Sequence, residues 1–376
     1  MPKAVKDDQI PGEEQKEESS PSSLDKFLTL DRFSQVRGEG MDVVISSRVR
    51  LARNLDERLF SNRLNPESAE AVLDRVETVL GELEGPAWHF FHLEKISPLD
   101  RQILVEKHLI SPQHAQDPIH RGVAIREDQV VSIMVNEEDH LRIQCILPGK
   151  SLDEAYREAE SVDDLLEEKL VYAFDGAYGY LTACPTNAGT GLRASLMMHL
   201  PVLVLTNQAG NFFHALAKLG MAVRGQYGEG TQAIGNVFQI SNQITLGLPE
   251  GEVIQNLKSI AAQVIDHERG GRETFLRESR EALEDRVGRA YGILLNARII
   301  NSDETLRLLS DVRLGIELGL IQANPGVVDE LWMLTRAACL QKMDGRGLNP
   351  YERDVRRAAI IRRMLAAEPK ENREGE

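Results

Sequence analysis

The most distinctive stretch of the chain reads Cys184-Pro-Thr-Asn-Ala-Gly-Thr-Gly-Leu-Arg193-Ala-Ser-Leu-Met-Met-His-Leu-Pro201. Gly189 and Gly191 predict a tight turn whose backbone can approach a phosphate closely, because glycine accepts conformations that other residues avoid. The turn presents one arginine, Arg193, ahead of an apolar segment. Taken alone, the same letters also describe a plain tight turn before a buried element, so the rest of the chain has to decide between the two.

Two other segments carry arginines that suit the same ligand. Residues 44–54 contain Arg48 and Arg50, which share one face if the segment is extended, because side chains alternate along a strand. Arg224 opens the glycine-spaced segment Arg224-Gly-Gln-Tyr-Gly-Glu229, a pattern typical of a loop that closes over a substrate and also of a plain surface loop. A guanidinium stays charged and matches phosphate oxygens with two donors. The arginines therefore predict a phosphate site.

Carboxylates accompany these arginines. The segment Glu137-Glu138-Asp139-His140 falls between two alternating apolar stretches, where a turn between strands collects functional side chains, although alone it also suits a solvated hairpin. A guanidinium acceptor would explain why carboxylates accompany the arginines: it arrives protonated and is a poor nucleophile, so one nitrogen must be aimed and deprotonated as it attacks phosphorus. We expect Glu138 and Glu229 to do both, while Arg142 and the other arginines neutralise the transferring phosphoryl group and Mg²⁺ bridges the phosphates.

Composition excludes several other classes of protein. The chain has 376 residues, enough for one large or two medium domains, and its formal net charge of −15 disfavours direct binding to nucleic acid. Cys145, Cys184 and Cys339 are too widely spaced for a disulfide framework or a metal site, so we predict no metal ligands and a cytoplasmic location. No apolar run approaches the roughly 20 residues that span a bilayer, and we expect no membrane association.

Periodicity predicts an α+β fold for the first two thirds of the chain. Residues 1–25 are rich in charged residues, Ser and Pro, which predicts a disordered acidic tail. Residues 26–250 form the expected catalytic domain, an antiparallel sheet flanked by helices. Its strand-like segments are 123–147, 201–206 and 237–246, and its helical segments are 68–83 and 162–174.

The last third is predicted to be an all-α C-terminal domain, residues 251–367, followed by a second disordered tail, residues 368–376. It is dominated by Leu, Ala, Glu and Arg and interrupted by glycine and Asn-Pro signals. The five predicted helices are 251–268, 273–298, 303–318, 326–341 and 350–367. Asn349 and Pro350 suit the N-cap and the first turn of the last helix.

The combined motifs resemble those of the phosphagen (guanidino) kinases, which move phosphate from ATP onto a guanidinium. The Met-Met-His-Leu-Pro continuation that ends at Pro201 is most similar to their bacterial protein-arginine kinase relatives, the McsB type. The resemblance covers residues 27–250 strongly and the C-terminal part through fewer signals. It implies a phosphagen-kinase-like catalytic domain that uses ATP and Mg²⁺.

Matching motifs imply roles for individual residues. Glu138 and Glu229 match the catalytic glutamates. Cys184 matches a cysteine near the guanidinium and is either a low-pKa thiolate beside many cations or an inert small residue. The residues that match the nucleotide-contacting positions are Ser46, Ser47, Arg48, Val49, Arg50, His108, Arg142, Arg193, Ala194, Ser195, Leu196, Met197, Arg224, Gly225, Gln226, Tyr227, Gly228 and Glu229.

A further segment, Arg353-Asp354-Val355-Arg356-Arg357-Ala358, resembles the RDxxRA motif with which McsB-type kinases bind phosphoarginine at a regulatory site. This implies that Arg353, Asp354 and Arg357 form an allosteric phosphoarginine site, in which arginine grips the phosphate and Asp354 accepts from the guanidinium. On spacing alone, an ordinary helix face with an Asp354–Arg357 pair is the simpler interpretation.

One departure bears on the acceptor. Small-guanidine kinases of this superfamily place a helical domain of about a hundred residues ahead of the catalytic core, within the usual domain size. Only 47 residues precede Arg48, so we expect that domain to be missing and the acceptor side to be open to a protein surface. The predicted activity is ATP-dependent phosphorylation of exposed arginines in client proteins.

Two alternatives stay open: a kinase of free guanidines, and a non-catalytic adaptor that reads phosphoarginine and delivers clients to a protease. The chain has no GxxxxGK[ST], HRD or DFG motif, which disfavours P-loop NTPases and eukaryotic-type protein kinases. The resemblance also implies a homodimer formed through the helical half, an activator of the McsA type, a Clp protease and a role in the stress response.

Overall fold

The computed structural model describes residues 24–29, 38–225 and 233–367. Its strands are β1 (Val44–Arg53), β2 (Trp88–His92), β3 (Gly122–Arg126), β4 (Val131–Val135), β5 (Leu141–Pro148), β6 (Phe174–Asp175), β7 (Gly179–Tyr180), β8 (Leu192–His199), β9 (Met221–Gly225) and β10 (Val237–Asn242). Its α-helices are α1 (Asp25–Thr29), α2 (Pro66–Glu82), α3 (Pro98–Glu106), α4 (Pro112–Gln116), α5 (Leu152–Glu167), α6 (Pro201–Leu205), α7 (Ala209–Lys218), α8 (Glu250–Glu278), α9 (Arg280–Asn296), α10 (Ser302–Glu317), α11 (Pro325–Leu334), α12 (Ala337–Asp344) and α13 (Pro350–Ala367). The two predicted tails fall almost wholly outside the described residues.

A single large sheet organises the first part of the chain. Eight strands pair antiparallel in the order β2-β3-β4-β5-β1-β8-β10-β9. One face is apolar, and the helices α2, α5 and α8 bury it. The alternation along β1 shows why: Val49 and Leu51 are at most 1% exposed, while Arg48 and Arg50 point to the other face. The predicted antiparallel α+β fold is confirmed.

The helices from α9 to α13 enclose a second apolar core, formed by residues between Leu283 and Leu365 together with Val202 of α6 and Val237 of β10. The long helix α8 contributes to the first core instead, through residues such as Leu257 and Val264. We therefore propose that the boundary between the two units lies at Ser279, between α8 and α9, rather than at residue 250. At the start of α13, the amide of Glu352 donates to Oδ1 of Asn349 at 2.9 Å, as predicted for its N-cap.

The prediction of a strand over 201–206 was wrong, because this segment forms the short helix α6. Pro201 occupies its first turn, where its missing N–H costs nothing. Buried Glu268, on α8, then accepts from the amides of Val202 and Leu203 at 3.2 and 3.0 Å. A distant carboxylate thus supplies the cap that the local sequence lacks.

Three helix boundaries also differ from the prediction. Gly270-Gly271 does not interrupt α8; at Gly271 a Cβ would lie 3.1 Å from Val202 Cγ1, so the glycine permits close packing of α8 on α6. The helix predicted at 162–174 is α5, which begins earlier and ends before β6. The helix predicted at 326–341 divides into α11 and α12 at Thr335 and Arg336. None of the described helices is long and apolar enough to cross a membrane.

A buried ion pair ties the sheet to α5. Arg53 is 1% exposed, and its Nε and Nη2 donate to Oδ2 of Asp163 at 2.9 and 2.6 Å. Its Nη1 donates to the carbonyls of Ala52 and Thr190, and its guanidinium lies 3.5 Å from the ring centroid of Tyr180. The charge is therefore satisfied on every side by groups from different elements.

We expect Asp163→Ala to lower the free energy of unfolding by about 3–5 kcal/mol, because it removes the hydrogen-bonded partner of the buried Arg53 guanidinium and leaves it only Glu250, 3.9 Å away. Urea denaturation measures the change. The matched control is Glu82→Ala, which removes a carboxylate 3.6 Å from Lys169 at an exposed position and should change stability by less than about 1 kcal/mol. Equal effects of the two substitutions would contradict the role assigned to the buried pair.

Candidate active site

The polar face of the sheet gathers arginines from four strands. Arg50 on β1 stands directly opposite Arg193 on β8, and Arg224 on β9 stands opposite Gln239 on β10. Arg142 on β5 stands opposite Ala52 of β1. Because Ala52 lies two residues after Arg50, Arg142 shares the face of Arg50. Residues far apart in the sequence therefore meet because strand register and side-chain alternation place them on one surface.

A cavity of about 690 Å³ opens over this face. Arg48, Arg50, Arg142 and Arg224 line it from the sheet, and His108 lines it from the segment after α3. The helical half closes the opposite side. Its contributions are Ser302, Asp303, Leu306, Arg336 and Ala337. We call this space the large cavity.

A second cavity, of about 290 Å³, adjoins the first, and we call it the small cavity. Its lining includes Glu138, Cys184 and Arg193. Four residues line both cavities: Arg50, Ser111, Arg142 and Arg224. The two spaces therefore meet at a junction of three arginines, with a carboxylate and a thiol on the far side.

Burial and, after it, repulsion among the arginines lower the pKa of three of them. Burial and the neighbouring charges of Arg142 and Arg193 lower the pKa of Arg48 to about 10. Burial, together with Arg48 and the same two neighbours, holds the pKa of Arg50 well below its ordinary value. Burial and the charges of Arg224 and Arg142 also lower the pKa of Arg193. An anion in the cavities would relieve this cost, so the site is built to attract phosphate.

The acidic turn between β4 and β5 divides its two glutamates. Glu137 is buried; its Oε1 accepts from the Ser111 hydroxyl at 2.5 Å, and it forms an ion pair with Arg142. Burial opposes its ionisation, but the charge of Arg142 and the bond from Ser111 outweigh burial and lower its pKa. Glu138 is exposed and lies 3.2 Å from Arg142. Glu137 thus holds Arg142 in place, while Glu138 faces the small cavity.

His108 and Cys184 occupy different ends of the site. His108 lines the large cavity, and its carbonyl accepts from Gln144 Nε2 at 2.7 Å. Burial and the charges of Arg336 and Arg48 lower the pKa of His108 to about 3, so its imidazole is neutral at physiological pH. Cys184 is half-buried, with Sγ 3.0 Å from the Thr186 hydroxyl.

The predicted segments 46–50 and 193–197 alternate between the two faces of the sheet. Arg193, Ser195 and Met197 share the cavity side with Arg48 and Arg50, in register across β1 and β8. The core side receives Ser47, Val49, Ala194 and Leu196, of which none is more than 1% exposed. Those four would serve the site by holding the strands together. Gly225 ends β9 and lines the large cavity, whereas Gln226, Tyr227, Gly228 and Glu229 lie outside the described residues.

The structure gives a more specific reason for glycine at position 191 than the sequence suggested. Gly191 has φ +63°, and a Cβ there would lie 2.6 Å from the carbonyl oxygen of Ala52. The close approach that excludes a side chain is thus to β1, which brings Arg193 into line with Arg50. The turn positions an arginine by packing backbone against backbone.

The RDxxRA segment lies on α13, away from the two cavities. Arg357 is 2% exposed, and its Nε donates to the Thr335 carbonyl at 2.8 Å. Its Nη1 donates to the Ile300 carbonyl at 3.0 Å and to Asp354 Oδ1 at 2.5 Å. Arg353 is half-buried and donates to the Leu348 carbonyl at 2.9 Å. The three predicted residues are therefore close together, with Arg357 already engaged in holding two other segments.

Sequence reasoning missed several residues of the site. Glu137 was passed over for its neighbour. Alternation would have placed it on the core face with Val135, but β4 ends there and Asn136, at φ 60°, turns the chain so that Glu137 pairs with Arg142. Gln239 accepts from Arg48 Nη2 at 2.9 Å, and nothing near it in the sequence marks it. Arg336 lies in the helical half and reaches the cavity only through tertiary packing.

Comparison with known proteins agrees with this geometry. A model for the C-terminal catalytic domain of ATP:guanido phosphotransferases matches residues 71–270, and a model for the C-terminal domain of the protein-arginine kinase McsB matches residues 280–376. A protein-arginine kinase of Symbiobacterium thermophilum is 54% identical over 341 residues, which cover 89% of this chain and 97% of the relative. The chain belongs to the protein-arginine kinase family. Another member, from Bacillus subtilis, is 49% identical over 352 residues, 92% of this chain and 97% of its own length.

Solved structures place this family member among the phosphagen kinases by fold. Lombricine kinase is 26% identical, with a TM-score of 0.54, and the match covers 64% of this chain and 70% of that one. The duplicated taurocyamine kinase of Schistosoma mansoni, solved with transition-state analogue components, has a TM-score of 0.58 and 24% identity over 70% of this chain and 41% of its own. The likeness confirms the predicted catalytic fold.

Arg50→Leu should leave the unliganded protein as stable as before or more stable, because it removes repulsion among the arginines. It should also lose most of the stabilisation by an anion, which for the unchanged protein is about 2.7 kcal/mol at a ligand concentration of 100 Kd. Thermal unfolding with and without inorganic tripolyphosphate measures both effects. Arg277→Leu, at a position 73% exposed, serves as control and should retain the ligand shift. A full shift in Arg50→Leu would contradict the anion site.

Proposed function

We propose that this protein transfers the γ-phosphoryl group of ATP to the guanidinium of arginine side chains in client proteins. The supporting observation is the pair of cavities that meet at Arg50, Arg142 and Arg224, with a carboxylate, Glu138, on the far side of the junction. A phosphate donor and a guanidinium acceptor need opposite surroundings. The large cavity is cationic and suits the donor. Four arginines also line the small cavity, but it adds the exposed carboxylate of Glu138 that the acceptor needs.

The nucleotide occupies the large cavity with its γ-phosphate at the junction. Three guanidinium groups there, from Arg50, Arg142 and Arg224, surround the transferring group and stabilise its charge as the bond to the leaving oxygen breaks. Arg48, further along the sheet face, contacts the remaining phosphates. His108 is neutral and is therefore no cationic ligand for the phosphates. Its imidazole instead accepts or donates one hydrogen bond toward the nucleoside.

The acceptor arginine enters the small cavity. Its guanidinium lies against Glu138, which holds one nitrogen in line with phosphorus and accepts the proton that this nitrogen loses as the new N–P bond forms. The leaving ADP keeps the electron pair of the broken O–P bond. We further propose that Glu229, beyond the described part of β9, supplies the second carboxylate, and that Cys184 packs beside the acceptor.

The site fits Mg²⁺ carried by the nucleotide. Among the described residues, no group of three or more His, Cys, Asp or Glu side chains is placed to hold a metal ion. Mg²⁺ in nucleotide sites is held mostly by phosphate oxygens and water, so the arginines of the cavities would hold it indirectly, by binding the nucleotide. When bound, it would supply positive charge that offsets the charge of the phosphates.

The decisive experiment is to incubate the protein with ATP, Mg²⁺ and an arginine-rich client and to map the product by mass spectrometry under non-acidic conditions. We expect acid-labile phosphate on arginine, in preference to phosphorylation of free arginine. Phosphate on Ser, Thr or Tyr alone would overturn the proposal, and faster turnover of free arginine would identify a small-guanidine kinase instead.

Glu138→Gln keeps the size of the side chain but cannot accept a proton. We expect it to lower kcat by about 10²- to 10⁴-fold while leaving the affinity for ADP unchanged. Glu84→Gln, at an exposed loop position before β2, is the matched control and should keep full activity. A normal kcat in Glu138→Gln would contradict the role of proton acceptor assigned to this carboxylate.

We also propose that Arg353, Asp354 and Arg357 bind phosphoarginine and that two chains pair through their helical halves. Exposed apolar side chains support the pairing: Ile299 and Val355 are 50% and 38% exposed, and the bond from the Ile300 amide to the Asp354 carbonyl brings their segments together. Analytical ultracentrifugation tests it, and Val355→Glu should shift the protein toward a monomer. An unchanged sedimentation coefficient would place the interface elsewhere.

Family resemblance supports the remaining proposals, an activator of the McsA type, delivery of clients to a Clp protease, and a role in the stress response. Three free cysteines, Cys145, Cys184 and Cys339, support a reducing cytoplasm as the location.

A further inference from the structure

The helical half supplies part of the wall of the large cavity. Two of its segments reach the cavity: the first two turns of α10, with Ser302, Asp303 and Leu306, and the break between α11 and α12, with Arg336 and Ala337. Arg336 is the cationic side chain that this half contributes to the lining. None of these residues belongs to the arginine motifs of the sheet.

Arg336 lies at the end of the cavity away from the junction. Together with His108 and Met197, it lines the large cavity and a third space beside it, which Trp332 also lines. None of the three residues shared by these two spaces lines the small cavity. Its charge acts on His108, because after burial it is the largest cause of the lowered pKa of that imidazole. A nucleotide whose γ-phosphate sits at the junction would extend its other end toward Arg336.

Two buried side chains fix the backbone on both sides of Arg336. On one side, Glu106 at the end of α3 accepts from the amides of Ala338 and Cys339, both at 3.0 Å. On the other side, Arg357 donates to the carbonyl of Thr335 at 2.8 Å. Arg336 is therefore held between an anchor from the catalytic half and an anchor from α13.

The same Arg357 also reaches the second wall segment. Its Nη1 donates to the carbonyl of Ile300, two residues before Ser302. One guanidinium thus ties together both helical segments that line the large cavity. A rigid planar fork is suited to this, since its donors point in fixed directions and can bond two backbones at once.

We propose that Arg336 contacts the bound nucleotide on the side away from the transferred phosphate and that Arg357 positions it. This inference rests on the proposed function, because it requires ATP in the large cavity. It makes the nucleotide site a joint product of the two halves of the chain. A phosphoarginine that drew Arg357 or Asp354 toward itself would have to change the bonds to Thr335 and Ile300, and it would therefore alter nucleotide affinity.

Arg336→Gln should raise the KM for ATP and the Kd for ADP by about 10- to 100-fold, as expected when one charge-assisted hydrogen bond is lost. Its kcat should change little, because a contact remote from the transferred group stabilises ground state and transition state alike. Arg336→Lys should restore part of the affinity. Arg346→Gln, a 62% exposed arginine in the same half, is the control and should leave both constants unchanged.

Arg357→Lys tests the positioning role, because lysine keeps the charge but cannot bond Thr335 and Ile300 in the same way. We expect a raised KM for ATP with kcat retained. Thermal unfolding identifies any loss of folded protein, which would lower kcat without moving KM. Normal ATP and ADP constants in Arg336→Gln and Arg336→Lys would overturn the inference.

Calorimetry with ADP separates this inference from the proposed function. If no phosphoarginine forms but Arg336→Gln weakens ADP binding, the nucleotide contact is supported and the proposed activity is contradicted. If phosphoarginine forms and Arg336→Gln binds ADP normally, the proposed activity is supported and the nucleotide contact is contradicted.

Discussion

The mutual repulsion of arginines on one face of an antiparallel sheet is the constraint on which the rest of the structure depends. Burial and like charges depress the pKa of Arg48, Arg50 and Arg193 together. Such a cluster persists only if the surrounding structure holds it, because the side chains would otherwise separate into water. The opposite face of the same strands provides that support, since it is apolar and buried under α2, α5 and α8. The core therefore stabilises an arrangement that an anionic ligand would relax.

The two adjacent glutamates show how local geometry assigns roles. Glu137 is buried and neutralises Arg142, so it limits the repulsion without occupying the cavities. Glu138 is exposed at the small cavity. One step along the chain at the end of a strand separates the two directions, and this separation leaves one carboxylate exposed at the small cavity while its neighbour is buried against Arg142.

Sequence patterns predicted best those elements whose structure is decided locally. Alternation along 44–53 placed Arg48 and Arg50 on one face, and the Asn349-Pro350 pair marked the start of α13. The predictions of secondary structure were wrong where residues distant in the sequence determine the local conformation. The apolar run 201–205 carries no period that separates strand from helix, and it is helical because Glu268, more than sixty residues later, caps it. Gly271 looked like a helix breaker, but it is a contact with α6.

The same distinction explains which parts of the site the sequence revealed. Arginines in motifs were found because each motif lies on a strand of the polar face. Arg336 was not, since its place depends on Glu106 of α3 and Arg357 of α13, which lie 230 and 21 positions away in the sequence. A cavity wall built in this way cannot move independently of the helical half: any shift of α13 is transmitted through Arg357 to both segments that face the arginines of the sheet. The helical half is thus a structural part of the wall of the large cavity, and its packing helps determine the shape of the space over the cationic face.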